Sequence, residues 1–355
     1  MVLTPRERVW LALEHRPTDR VPIAMVCSGI NPPARRALGE YLAETRGLTV
    51  EQYLAPLLDI KSVAPAYVGP PLPPDTDFWG VRRRAVSYGS GEYQEISHYP
   101  LAEARGLADL AAYPWPTTDW FDYQAIAAQI AALDAQGEWC LMAANGNIFE
   151  SAWYLRGFER TLCDLAIDPE FVDELLERVT QFWLAHFRRV LEAGRGRLDL
   201  VFTADDIGGQ EGLLMSLGMW ERHLKPRHAR LNQLIHEYGA KVIYHSDGSV
   251  VEAVPGLLEM GIDILQALQF DCRGMDPVGL KRDFGQRLCF QGGISVQQTL
   301  PFGTAEEVRR EVTERVQVLG ADGGYIVGPS HAIQAGTPPE NIVALFDTAA
   351  SLPGG

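Results

Sequence analysis

Side chains able to bind metal ions or move protons recur directly after short apolar runs of this sequence. If the runs are parallel strands, these groups lie at the carboxyl ends of the strands and converge at one mouth, where α/β barrels place their chemistry. A purely structural set would be scattered over both ends of the sheet, so we predict a functional cluster. In chain order its members are Asn145 and Glu150; Asp205, Asp206 and Gln210; His245 and Asp247; Gln291, Gly292 and Gly293; and His331.

Two histidines and one aspartate of this cluster form a possible metal site. His245 and Asp247 are two residues apart at the end of an apolar run, and His331 comes from a distant run. Together they could hold zinc with one position left open, although other divalent ions accept the same nitrogen and oxygen ligands. Without a metal, the same side chains could act as general acids and bases. The spacing leaves both chemistries open.

Several of these residues also have structural interpretations. One member of the pair Asp205 and Asp206 is expected to cap the helix that follows, because an aspartate there accepts a backbone N–H. The pair Gly292 and Gly293 fits a tight turn, or a place where backbone N–H groups approach a ligand.

The pattern of apolar runs predicts the elements that position the cluster. Short apolar runs alternate with amphipathic segments, which indicates parallel βαβ units around a sheet buried on both faces. Strands are predicted at 21–26, 60–64, 139–144, 198–203, 241–244, 263–268, 287–290 and 325–327. Helices are predicted at 6–15, 169–191, 220–238, 250–259, 277–284, 305–319 and 339–349.

Eight such units predict a (β/α)8 TIM barrel that occupies residues 1–355 as one domain. A capping box at Thr4 and Glu7 is expected to open an additional N-terminal helix. The Pro/Gly-rich and then tyrosine-rich region at about 68–116 is interpreted as an insertion that carries a β-hairpin. A doubly wound dinucleotide-binding sheet is disfavoured, because no G-x-G-x-x-G pattern follows the first strand.

Composition narrows the function classes. The 355 residues carry a net charge of −15, which disfavours binding to nucleic acid or to an anionic membrane surface. No apolar run is long enough to span a bilayer, and the first residues do not have the pattern of a signal peptide. The five cysteines lack a CxxC pair, so we expect free thiols and a reducing, cytoplasmic location.

Several motifs together resemble the uroporphyrinogen decarboxylase superfamily, and the resemblance covers nearly the whole chain. It implies the (β/α)8 barrel. The motifs are Thr4-Pro5-Arg6-Glu7-Arg8-Val9 with the stretch 14–22, Asp205-Asp206-Ile207-Gly208-Gly209-Gln210, His245-Ser246-Asp247-Gly248, and the segments 323–327 and 337–342.

The superfamily holds two chemistries. Uroporphyrinogen decarboxylases carry an R-Q-A-G-R segment after the first strand, which grips the substrate carboxylates. The matching stretch 27–36 keeps only Arg35 and Arg36 as cations. The resemblance would place the catalytic aspartate of the decarboxylases at Asp59. A tetrapyrrole with many carboxylates needs many cationic partners, which an acidic chain supplies poorly.

The other branch contains zinc-dependent methyltransferases that work with corrinoid proteins. Their His-x-Cys pair and later cysteine correspond here to His245, Asp247 and His331. The resemblance therefore implies transfer of a methyl group from a small methylated substrate, such as an O-methyl aryl compound, to a corrinoid protein, with zinc at these three residues. Asp205 and Asp206 would position groups around the zinc. Predicted substrate contacts are Asn145, Glu150, Trp153, Tyr154, Arg156, Gln210, Gln291, Gly292, Gly293 and Asp59.

Two other functions stay open. A metal-free decarboxylase of a small or tetrapyrrole acid would use Arg20, Arg35 or Arg156 to grip carboxylates. A non-catalytic barrel that binds a corrinoid or metabolite would show tight binding without turnover. A homodimer is also possible, with Trp79 either on the dimer face or in a pocket wall.

Overall fold

The computed structural model describes residues 2–27, 29–89 and 91–354. The helices are α1 (Pro5–Leu13), α2 (Pro32–Arg46), α3 (Val50–Leu54), α4 (Leu107–Ala112), α5 (Gln124–Asp134), α6 (Phe149–Arg156), α7 (Phe158–Ile167), α8 (Pro169–Gly194), α9 (Leu217–His223), α10 (Lys225–Glu237), α11 (Val254–Glu259), α12 (Pro277–Phe284), α13 (Thr299–Phe302), α14 (Ala305–Leu319) and α15 (Pro339–Ser351). The strands are β1 (Ile60–Ser62), β2 (Ala66–Tyr67), β3 (Arg82–Ser87), β4 (Glu92–His98), β5 (Phe121–Asp122), β6 (Cys140–Asn147), β7 (Leu200–Ala204), β8 (Lys241–His245), β9 (Ile264–Gln266), β10 (Cys289–Ile294) and β11 (Tyr325–Pro329). Short 3₁₀ turns occupy Thr118–Trp120 and Val251–Ala253.

Seven of the described strands form one parallel sheet in the order β1-β6-β7-β8-β9-β10-β11. The segment predicted as the first strand, 21–26, instead makes a single parallel bridge between Ile23 and Val327. Pro22 explains part of this difference, because it has no N–H to donate to a strand ladder. The carbonyl of Ile23 also accepts the N–H of Asp59, 2.9 Å away, so this segment contacts both edges of the curled sheet.

The sheet is buried on both faces, as the apolar runs predict. Alternate residues of a strand point to opposite faces. In β7, Leu200, Phe202 and Ala204 therefore belong to a small inner cluster, while Val201 packs in the larger core under the helices. The alternating α/β organisation is confirmed. Among the described residues, no helix combines the length and the apolar character that crossing a membrane requires.

Two elements differ from the sequence prediction. The helix predicted over 220–238 is two helices, α9 and α10, which meet at Leu224; Pro226 stands in the first turn of α10, where its missing N–H costs nothing. Trp79 lies neither on an exposed face nor in a pocket wall, since it is 4% exposed and packs edge-on against Phe182 and Trp183.

The insertion carries the expected hairpin. β3 and β4 pair antiparallel and form the hairpin. β2 and β5 form a separate antiparallel pair. Tyr93 of β4 reaches the carboxyl ends of the sheet strands, as described below.

Aspartates anchor the amino ends of three sheet strands. Asp59, Asp199 and Asp263 directly precede β1, β7 and β9, and each accepts a backbone N–H from the neighbouring segment at 2.8 or 2.9 Å. Asp59 is fully buried and also pairs with Arg8 at 2.6 Å and Arg20 at 2.8 Å. Asp59 thus lies at the end of the sheet opposite the mouth, so it has a structural role and does not contact a substrate there.

The loops after β7 and β8 lock together and thereby fix Asp247. Asp206 Oδ1 accepts the backbone N–H of Asp247 at 2.8 Å. Gly248 has a φ of 84°, and a Cβ on it would lie 2.5 Å from the carbonyl carbon of Gly208. The close backbone contact explains why both motifs contain glycine at these positions.

We predict that Asp59→Ala lowers the free energy of unfolding by about 3–5 kcal/mol, because it leaves buried guanidinium charges unpaired. Denaturant titration measures this loss. The control is Asp119→Ala, since Asp119 is 87% exposed and pairs with Arg189 at the surface; we expect a change of at most about 1 kcal/mol. Equal losses in the two variants would contradict the structural role of Asp59.

We predict that Gly248→Ala is more destabilising than Gly239→Ala. Both glycines have a positive φ, 84° and 80°, which costs a side chain about 1–3 kcal/mol. Only at Gly248 does the added Cβ also overlap neighbouring backbone, because Gly239 faces open space. Comparing the two free energies of unfolding isolates the overlap, and equal values would refute the proposed locking of the two loops.

Candidate functional site

A cavity of about 530 Å³ opens at the carboxyl ends of the sheet strands. It brings together seven residues of the predicted site, namely Asn145, Glu150, Tyr154, Asp206, His245, Asp247 and His331. The complete lining is Val26, Cys27, Tyr93, Ala144, Asn145, Asn147, Glu150, Tyr154, Phe202, Ala204, Asp206, His245, Asp247 and His331.

The buried side of His245 is held by Gln266, the last residue of β9. Gln266 Nε2 donates to the carbonyl of Ser330 at 3.2 Å, so its Oε1 faces His245 Nδ1 as a hydrogen-bond acceptor. We infer that Nδ1 carries the proton, which leaves the lone pair of Nε2 directed into the cavity. There Nε2 lies 3.5 Å from Asp206 Oδ1 and 3.7 Å from Asp247 Oδ1.

Asp247 has an unsatisfied oxygen in this cavity. Its Oδ1 is buried and has no hydrogen-bond partner among the described residues, while Oδ2 lies 3.9 Å from His331 Nε2. Burial raises the pKa of Asp247, although His245, His331 and a hydrogen bond from the Gln269 side chain to the carboxylate oppose the shift. An imidazole lone pair that faces carboxylate oxygens is unfavourable unless a proton or a cation lies between them.

The geometry of these atoms fits a zinc ion. Zinc–ligand bonds of about 2.0–2.2 Å at tetrahedral angles place ligand atoms roughly 3.3–3.6 Å apart. Two groups of three residues share His245, and within each group the ligand atoms lie within 4.8 Å of one another. One group is Asp206, His245 and Asp247, and the other is Cys27, His245 and His331. The predicted ligands His245, Asp247 and His331 are drawn from both groups and do not themselves form one of them.

His331 and Cys27 contact each other at the edge of the cavity. Burial alone would lower the pKa of His331, but its hydrogen bond with Cys27 and the negative charge of Asp247 outweigh burial, so the pKa is raised. Cys27 is not among the predicted site residues, although it directly follows the predicted strand 21–26 and thus obeys the same rule as the others.

Asp205 positions the site from outside the cavity. Its carboxylate is fully buried, accepts the N–H groups of Phe149 and Glu150 at 2.8 Å each, and lies 2.5 Å from His228 Nε2. It therefore caps α6, the helix after β6, rather than the helix that follows it in sequence.

Glu150, at the start of α6, is suited to proton transfer. Tyr154 donates its hydroxyl to Glu150 Oε1 at 2.9 Å, and Asn147 Nδ2 donates to Oε2. Burial, with the nearby carboxylates of Asp206 and Asp205, raises the pKa of Glu150 to about 7. A carboxyl group with such a pKa can donate or accept a proton near neutral pH.

Two predicted substrate contacts have structural partners instead. Arg156 is 3% exposed; it pairs with Asp164 at 2.8 Å and donates to the carbonyls of Leu101 and Ala104. It therefore anchors the chain after the hairpin. Gln210 is exposed, and its side chain accepts a hydrogen bond from Cys272.

The remaining predicted contacts lie beside or below the cavity. Gln291 is fully buried and donates to the carbonyl of Ala24 at 3.2 Å. Gly292 and Gly293 have φ values of 104° and 88° and do not line the cavity. Trp153 lines an adjoining recess of about 350 Å³ under the hairpin.

The sequence offered no signal for Tyr93 and a weak one for Gln266. Tyr93 comes from the hairpin insertion, which has no fixed register with the sheet strands. Gln266 lies within the apolar run predicted as the strand 263–268, and only its contact with His245 shows its role.

Comparisons with known proteins agree with this architecture. A methyltransferase from Methanosarcina mazei has a similar structure, with a TM-score of 0.67 at 18% identity over 98% of each chain. A curated "Uroporphyrinogen decarboxylase" from Anaeromyxobacter sp. (strain Fw109-5) is 25% identical over 194 residues, which are 54% of this chain and 51% of that protein. The match thus spans about half of that curated relative.

A family model described as "Uroporphyrinogen decarboxylase (URO-D)" matches residues 84–352. This match begins within β3, continues past β11 and includes all of the predicted ligands. Because it covers more than half of the chain, the protein belongs to the uroporphyrinogen decarboxylase (URO-D) family.

Proposed function

We propose that this protein is a metal-assisted methyltransferase, which moves a methyl group from a small methylated substrate to a corrinoid carried by a partner protein. The observation that carries the proposal is the buried, unpartnered Asp247 Oδ1, 3.7 Å from the lone pair of His245 Nε2. A divalent cation between these atoms would satisfy both. The similarity to a methyltransferase structure supports the choice within the family.

His245, Asp247 and His331 would hold the metal, and neighbouring residues position them. Gln266 fixes the tautomer of His245, and Asp206 accepts the backbone N–H of Asp247. Residues that orient ligands in this way also tune their basicity. A bound zinc ion would act as a Lewis acid on the oxygen or nitrogen atom that loses the methyl group.

Glu150 supplies the proton that the reaction requires. The methyl carbon would leave its heteroatom without the bonding electron pair, which stays on the heteroatom, and the electron pair of the new bond to carbon would come from the reduced corrinoid. The leaving atom then takes up one proton. Glu150 lines the same cavity as the ligands, accepts a hydrogen bond from Tyr154, and would be the acid for this step.

The walls of the cavity suit an aryl methyl ether. Tyr93, Tyr154 and Phe202 line it together with the ligands, and aromatic faces pack well against a substrate ring. A volume of about 530 Å³ lies within the range of small-molecule sites.

The tetrapyrrole decarboxylase alternative is less favoured by the charges. Among the described residues that line the cavity, none is a lysine or an arginine. The arginines considered for gripping carboxylates have other partners: Arg20 pairs with Asp59, Arg35 with Glu51, and Arg156 with Asp164. A polyanionic substrate would therefore meet acidic groups.

Four expectations stay predictions: an eight-membered (β/α)8 ring completed by the segment around Ile23, a single domain over residues 1–355, a cytoplasmic location and a homodimer.

We predict that the protein purified without a histidine tag binds about one zinc per chain, as a three-ligand site with an open position would. His245→Ala and His331→Ala should lose the metal, which elemental analysis after dialysis measures. The control is His236→Ala, since His236 pairs with Asp263 at the amino ends of the strands. With a reduced corrinoid and an aryl methyl ether, only the wild type and the control should form methylcorrinoid.

A wild-type protein that stays metal-free after incubation with zinc would refute the metal site. A zinc-loaded protein that methylates no corrinoid from methyl ethers or methylamines, but releases carbon dioxide from an acid, would favour the decarboxylase alternative.

A further inference from the structure

We propose that Cys27 is a thiolate ligand of the metal held by His245, Asp247 and His331. This inference rests on the proposed function only in requiring that a metal binds in the cavity. It makes the site a mixed sulfur, nitrogen and oxygen centre, which the ligand pattern of His245, Asp247 and His331 alone does not predict.

The backbone register brings Cys27 beside His331. Ile23 forms a parallel bridge with Val327, and Cys27 and His331 each follow four residues later on the same two segments. In parallel chains, residues at equal distances from a bridged pair are neighbours. The pairing of the two segments therefore brings Cys27 and His331 to the same edge of the cavity.

A second set of backbone bonds closes the pairing beyond these residues. Ile30 forms a parallel bridge with Ile333. The N–H of Ile333 donates to the carbonyl of Gly29 at 2.9 Å, and the N–H of Asn31 donates to the carbonyl of Ile333 at 2.8 Å. The second bridge is offset from the first by one residue, since Ile30 comes seven residues after Ile23 and Ile333 comes six after Val327. The two segments are nevertheless joined both before and after Cys27 and His331, which keeps these two residues close together.

The ligand atoms of Cys27, His245 and His331 lie within 4.8 Å of one another. A zinc ion with bonds of about 2.3 Å to sulfur and 2.0–2.1 Å to nitrogen needs these atoms roughly 3.6 Å apart. A contraction of at most about 1.2 Å, the difference between 4.8 Å and roughly 3.6 Å, would bring them to bonding positions. Asp247 is not part of this trio, but its Oδ2 lies 3.9 Å from His331 Nε2, so it borders the trio on one side.

A thiolate at this position changes what the site can bind. Sulfur ligands select zinc and similar soft ions over magnesium, calcium or manganese, which prefer oxygen. One thiolate and one carboxylate also neutralise a divalent ion, so the bound centre adds no net charge to the cavity. In the resembling methyltransferases the thiolates correspond to positions 247 and 331, and here Cys27 supplies the sulfur from a different segment.

The other cysteines are placed for different roles. Cys140 and Cys289 are buried in the inner cluster of the sheet, and Cys272 donates to Gln210. Cys163 is exposed on α7. Within the described part of the chain, Cys27 is thus the one cysteine that lines the cavity.

Cobalt(II) substitution tests the proposal on the full chain. A cysteine thiolate bound to cobalt(II) gives an intense near-ultraviolet charge-transfer band, whereas histidine and aspartate ligands give only weak visible bands. We expect both features in the wild type. Cys27→Ser should lose the charge-transfer band but keep visible bands, and its zinc affinity should fall by at least about tenfold. The matched control Cys163→Ser should keep the band and the affinity.

Visible cobalt bands without a charge-transfer band in the wild type would overturn the role of Cys27 while leaving the metal site intact. A charge-transfer band that persists in Cys27→Ser would overturn it as well. A protein that binds neither cobalt nor zinc would contradict this inference and the metal-assisted function together.

Discussion

The hydrogen bond between His245 Nδ1 and Gln266 decides what the mouth of this protein can bind. It fixes the imidazole tautomer, so that a lone pair rather than an N–H points into the cavity. Two carboxylates, Asp206 and Asp247, face that lone pair, and the backbone contact between their loops prevents them from turning away. The lone pair and the two carboxylates repel one another, and a cation bound between them would remove this repulsion. The chemistry proposed for the site follows from this constraint.

Aspartates at the two ends of the sheet differ in whether neighbouring groups balance their charges. At the amino ends, Asp59, Asp199 and Asp263 accept backbone N–H groups and pair with basic side chains, so their charges are balanced within the protein. At the carboxyl ends, Asp247 keeps a buried oxygen without a partner among the described residues. Balanced carboxylates stabilise the fold, whereas the unbalanced one is available to a ligand. This division matches the separation of stability and function between the two ends of α/β barrels.

Much of the site could be predicted because polar residues that end apolar runs converge in a parallel sheet; His245, Asp247 and His331 are examples. The rule fails for charged residues whose partners can be identified only from the fold. Asp59 and Arg156 are charged residues near apolar runs, and only their contacts with Arg8 and Asp164 reveal them as structural. Cys27 was overlooked because a cysteine beside an apolar run is usually a small core residue. Tyr93 reaches the cavity from an insertion, and no periodicity in the sequence predicts where that insertion lies relative to the sheet.

The helix over 277–284 was predicted to the residue, since Asp276 and Pro277 mark its start.

Anomalous X-ray scattering from crystals grown with zinc tests the central claim most directly. Data collected on both sides of the zinc absorption edge locate any bound ion without reference to activity. We predict a strong anomalous peak within bonding distance of His245 Nε2, between Asp247 and His331. Zinc peaks only at surface sites, such as the pair His236 and Asp263, with none beside His245, would contradict the account.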